Sequence, residues 1–122
     1  MAVLHDEDGA QAAAEAITNG AAISVVNWAE VLTKLAERGK DPGQAASETR
    51  KAEGSKRALV IEPLTAADCI AVARLRLTTR TQGLSLADRA CLALAERLGA
   101  PAITADREWL KADVAAEVQL IR

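Results

Sequence analysis

Phenylalanine and tyrosine are missing from this sequence altogether, and Trp28 and Trp109 are its only large aromatic side chains. Half of the residues are nevertheless apolar, so the core must be built from alanine, leucine, valine and isoleucine. That set suits close packing of helices on a sheet. Cysteine is scarce as well. Cys69 and Cys91 both fall in segments that read as helix, and no CxxC pair exists. This argues against a disulfide framework or a cysteine-ligated metal, and two reduced, buried thiols in a cytoplasmic protein are expected. No apolar run approaches the ~20 residues that a membrane span requires. The opening MAVLHDEDGA has neither a basic n-region nor an apolar h-region, so a signal peptide is not expected. Charge is also nearly balanced, with a net of −2. The field of the whole molecule therefore does not favour a polyanion, which would have to meet a local basic patch. Neither a GxGxxG nor a GxxxxGK[ST] loop follows any candidate strand, which argues against a doubly wound nucleotide binder. His5 is the sole histidine, close to a terminus, and the sequence assigns it no role.

At 122 residues the chain has room for one domain spanning 1–122, with one core. Residues 9–18 are rich in helix formers and stop at Asn19-Gly20. The apolar run 21–26 reads as a buried strand. Trp28, Val31, Leu32, Leu35 and Ala36 then form one helical stripe, ended by Gly39. Asp41-Pro42 looks like an N-cap with proline at the first helical position, opening a short, polar, exposed helix. A second strand is expected at 58–61, then a helix capped by Thr65 with Ala66, Ile70, Ala73 and Leu77 facing inward. Leu86, Ala90, Cys91, Leu94 and Leu98 mark a further helix stopped by Gly99. Strands at 101–105 and 117–121 flank a short helix at 107–112. Short apolar strands alternating with helices predict a three-layer α/β/α sandwich around a short parallel sheet.

Three acids are notable for where they fall. Glu30 follows the first expected strand, Asp106 follows the 101–105 strand, and Asp88 opens the helix that feeds it. In a parallel sheet with right-handed crossovers, all three are delivered to the carboxyl edge, where open α/β folds bind ligands. Carboxylates gathered there repel one another unless a cation sits among them, and hard oxygen ligands suit Mg²⁺, with Mn²⁺ as substitute. Such ions lower the pKa of bound water and orient a phosphodiester. Each acid also has a plainer reading. Asn27-Trp-Ala-Glu30 and Ser85-Leu-Ala-Asp88 resemble capping boxes, and Asp106 can serve as an N-cap. Arg74, Arg76, Arg80 and Arg89 make 74–89 locally basic, as a phosphate guide or as a solvated helix face. Trp109 reads as a hydrophobic plug rather than a base-stacking platform.

The blocks SVVNWAEV, LSLADRACLALA and TADREW, in this order, resemble the signature of PIN domains of the VapC toxin type, and the likeness runs over nearly the whole chain. It implies that Glu30, Asp88 and Asp106 are acidic site residues holding a metal, with Thr104 assisting. It further implies Mg²⁺-dependent endonucleolytic cleavage of RNA by the toxin of a type II toxin–antitoxin pair. The implied partners are a VapB-like antitoxin and a second copy of the chain, as a dimer or higher oligomer. One departure stands out. The family opens with a central strand ending in Asp, whereas MAVLHDEDGA resembles the tail of the helix that follows it. An N-terminally truncated domain is therefore expected, lacking its central strand, with Asp6 too close in sequence to Glu30 to replace the lost acid easily. Weak metal binding and a borrowed strand would follow, and the alternative function is a catalytically impaired PIN domain that binds antitoxin or RNA.

Overall fold

The computed structural model describes residues 1–5, 20–51 and 59–121. The expected helix at 9–18 lies outside them, as does Asp6. Among the described residues five strands form one sheet: β1 (Ala2–Leu4), β2 (Ala21–Ser24), β3 (Leu59–Glu62), β4 (Ala102–Thr104) and β5 (Val118–Leu120). Their order is β3-β2-β1-β4-β5 and every pairing is parallel. Among the described residues four α-helices accompany them: α1 (Val25–Glu37), α2 (Pro42–Lys51), α3 (Ala66–Thr78) and α4 (Leu86–Leu98). Short 3₁₀ turns occupy Arg80–Gln82 and Arg107–Lys111. The four strands expected from apolar runs are thus present, parallel as predicted.

The fifth strand corrects the sequence reading. The centre of the sheet is filled by the chain's own Ala2–Leu4, with Val3 opposite Ala22 on one side and Ala102 on the other. Three apolar residues are too few to show a period, so the segment could not be told from a helix tail. Its place demands side chains buried on both faces, and Val3 and Leu4 meet that demand at 0 % and 5 % exposure. The gap that argued for a borrowed strand is therefore not present.

The missing phenylalanine and tyrosine are made good by small residues. Ala21, Ala22, Ala90, Ala95 and Ala102 are fully buried, so backbones approach closely across the sheet–helix interface. α4 is the central helix, buried along Ala90–Ala95 and packed on β1, β2, β4, α1 and α3. Val3 and Ala102 belong to its cluster, while Leu4, Ala21 and Ile103 are buried on the other face of the sheet.

α3 shows the opposite face from the one expected. Asp68, Val72, Leu75 and Thr79 point inward, whereas Ile70 and Leu77 are exposed, as are Ala66 and Ala73. The two stripes share one spacing and differ by two residues, about 200° around a helix. Hydrophobicity favoured the wrong one because the inner stripe contains two polar residues that acquire partners. Thr79 Oγ1 donates to Leu75 O at 2.6 Å. Asp68 closes a capping box with Thr65 and accepts from Arg97 Nε at 3.0 Å. Cys69 lies on the exposed side rather than the buried one, and Cys91 is buried; the two form no disulfide, as expected.

Burial pushes the Asp68 carboxyl up, but the Thr65 N–H and the Arg97 guanidinium outweigh it and hold the pKa below the ordinary 3.8. The stabilisation is therefore complete above that value and is lost as pH falls through the lowered pKa. Asp68→Ala is expected to cost about 1–3 kcal/mol at neutral pH, with the cost shrinking below pH 3.8. Urea midpoints of both proteins across the acid range check this.

Candidate active site at the carboxyl edge of the sheet

The carboxyl ends of β1, β2 and β4, with the first turns of α1 and α4, bring a set of polar side chains to one edge. Ser24 ends β2 and caps α1, its Oγ accepting from Asn27 N at 3.1 Å. The helix cap thus sits one turn earlier than the Asn27–Glu30 pattern suggested, on Ser24. Asn27 is fully buried. Its Nδ2 donates to Ala87 O at 3.0 Å, tying the start of α1 to the start of α4 one residue before Asp88.

Asp88 is the N3 residue of α4 in the predicted capping box. Asp88 N donates to Ser85 Oγ at 3.1 Å, and Asp88 Oδ2 accepts from Ser85 N at 2.9 Å. The other oxygen has a partner that sequence reading missed: His5 Nε2 lies 2.7 Å from Asp88 Oδ1. A carboxylate only accepts, so Nε2 carries the proton. Burial raises the Asp88 pKa, but the hydrogen bond from His5, that from Ser85 and the His5 charge together bring it below the ordinary 3.8. Asp88 is therefore held ionised.

His5 stands at the carboxyl end of the central strand, its N–H bonded to Ile103 O at 3.2 Å. Its ring meets Trp109 edge to face, with centroids 4.8 Å apart. Trp109 is itself fully buried in the core, as the plug reading expected. No periodicity points to a lone histidine after three apolar residues; only recognition of Ala2–Leu4 as a strand would have placed it at this edge.

Asp106 follows β4 and caps the 3₁₀ turn Arg107–Lys111, with Oδ1 accepting from Glu108 N at 2.9 Å. Buried Thr104 supports it by accepting from Asp106 N at 3.0 Å. Glu30 lies on α1 one turn after Asn27 and is exposed. Among the described residues, no three His, Cys, Asp or Glu side chains form a group that could hold a metal ion. The ligand set expected from Glu30, Asp88 and Asp106 is thus not assembled by those three. Asp88 has both oxygens engaged, Asp106 is spent partly on its own turn, and Glu30 lies on an exposed face.

The arginines divide. Arg89 is half-buried and donates through Nη1 to Val72 O at 2.9 Å, joining α4 to α3. Arg74, Arg76 and Arg80 are exposed. No described helix is long and apolar enough to cross a membrane.

An all-parallel α/β domain with acids at its carboxyl edge is the class these features define. The matching family model is the PIN domain, over residues 1–115, and the chain belongs to that family. PIN domains are generally nucleases and typically use divalent metal ions. The fold is also that of several solved structures. A toxin–antitoxin complex from Klebsiella pneumoniae matches with TM-score 0.70 at 20 % identity, over 100 % of this chain and 98 % of that one. VapBC2 from Rickettsia felis, bound to a DNA fragment from its promoter, matches with TM-score 0.69 at 16 % identity, over 98 % and 97 %. FitAcB from Neisseria gonorrhoeae gives TM-score 0.61 at 19 % identity, over 96 % of each chain. Curated protein sequences yield no match.

Proposed function

We propose that this chain is the toxin of a type II toxin–antitoxin pair, a Mg²⁺-dependent endoribonuclease for which Mn²⁺ can substitute. The observation that carries this reading is the arrival of Asp88 and Asp106 at one sheet edge in a PIN domain, each fixed by a backbone cap and the second supported by Thr104. Glu30, on the exposed face of α1, is the third acid of the reading. RNA is the substrate, and exposed Arg74, Arg76 and Arg80 offer its backbone a basic approach. The partners are a VapB-like antitoxin and a second copy of the chain, in the cytoplasm.

A second reading, a catalytically impaired PIN domain that acts by binding antitoxin or RNA, is favoured by two observations. Both Asp88 oxygens are already hydrogen-bonded, and the described residues make no metal-holding group. The test is to incubate the purified chain with structured and single-stranded RNA in Mg²⁺, in Mn²⁺ and in EDTA. Metal-dependent internal cleavage that disappears in Asp106→Asn supports the nuclease. Intact RNA in every lane, with RNA retarded on a native gel, supports the binding reading instead.

A further inference from the structure

Among the described residues at this edge, His5 lies with its ring nitrogen directly against an acid of the candidate site. Its Nε2 sits 2.7 Å from Asp88 Oδ1, and its side chain is 4 % exposed against 16 % for Asp88. The imidazole is held from three sides: by β4 through its own backbone, by the Asp88 carboxylate and by the Trp109 ring. A side chain so placed is part of the packed structure rather than a passing surface contact.

We propose that His5 controls divalent-cation binding at this edge by occupying Asp88 Oδ1, the carboxylate oxygen that does not close the capping box. The other oxygen already accepts from Ser85 N, so Oδ1 is the oxygen for which His5 and a cation compete. Whether the ring is imidazolium or neutral imidazole, Nε2–H takes one lone pair of Oδ1, and a cation approaching from that side meets a proton instead. The geometry also states what would reverse this. An aspartate at position 5 would set two carboxylates against each other at the end of the central strand, an arrangement that calls for a cation between them. The inference rests on the reading of the edge as the nuclease site, but it concerns metal affinity and not turnover.

The test is calorimetric titration of the whole chain with Mn²⁺ alone, in wild type, His5→Ala, His5→Asp and His5→Asp combined with Asp88→Asn. His5→Ala should bind Mn²⁺ more tightly than wild type because Oδ1 is released. His5→Asp should bind more tightly still, on the order of ten- to a hundredfold over wild type, the scale on which one group beside a metal moves its affinity. The double variant should return to the wild-type level. If His5→Asp does not fold without metal, recovery of its far-ultraviolet dichroism on adding Mn²⁺ reports the same site. Wild type binding Mn²⁺ as tightly as both single variants overturns the proposal, as does a gain that survives Asp88→Asn. His5→Asp that takes up Mn²⁺ tightly yet leaves RNA intact removes the nuclease reading and leaves this one standing. Wild type that cleaves RNA and matches His5→Asp in affinity does the reverse.

Discussion

Replacing Trp109 by alanine is expected to destabilise the protein by about 3–5 kcal/mol, the usual range for removing a large buried aromatic. Trp109 is fully buried in the same cluster as Val3, Val72, Leu75, Leu92 and Ala102. A core made mainly of alanine and small aliphatics has little slack with which to refill the space, so the cavity term should be near the upper end. With domains of this size commonly stable by only about 5–15 kcal/mol, the variant will be close to its limit. The loss also reaches the site, because the Trp109 ring is one of the surfaces that hold the His5 imidazole. Trp109→Phe should cost much less. It keeps most of the apolar area and deletes an indole N–H that has no acceptor among the described residues. Denaturant unfolding followed by far-ultraviolet circular dichroism gives both values without relying on the fluorophore being removed. Equal losses in the two variants would show that the indole contributes through a contact its volume does not explain.

The second large effect is expected from Asp88→Asn, which changes one atom. Oδ1 and Oδ2 both accept, from His5 Nε2 and Ser85 N respectively. An amide has a single acceptor oxygen, so whichever way it turns, one donor faces an NH₂ group. Leaving a partly buried donor unmatched costs about 1–3 kcal/mol, which the urea midpoint will show. On the nuclease reading, cleavage of RNA should fall by about a hundredfold or more, as when one charged or hydrogen-bonding group is taken from an active site. The two measurements separate the roles. A stability loss with unchanged cleavage would reduce Asp88 to a helix cap, the plainer of the two readings its sequence context allows.

Much of this architecture is legible in the chain because it rests on local signals. The apolar runs at 21–26, 58–61, 101–105 and 117–121 are bounded by turn residues, and each holds a parallel strand of the fold, although Val25 and Val26 already belong to α1. Thr65, Ser85 and Asp106 each cap the helix or turn that starts beside them, as their spacing requires. The order of the NWAEV, LSLAD and TADREW blocks carries the family resemblance, and parallel topology alone names the sheet edge that receives Asp88 and Asp106.

The tertiary structure decided the properties that depend on a partner distant in sequence. The inward face of α3 is one: Asp68 can be buried only because Arg97, 29 residues later, meets it. The central strand is another, since Ala2–Leu4 is too short to declare itself and is identified by the two neighbours that pair with it. His5 is the third. The sequence assigns it no role, and its meaning comes from Asp88, 83 residues away. Caps and periods are relations within a few residues, so a sequence displays them. Which oxygen of a carboxylate is taken, and by what, is a relation across the fold, and only the packed molecule states it.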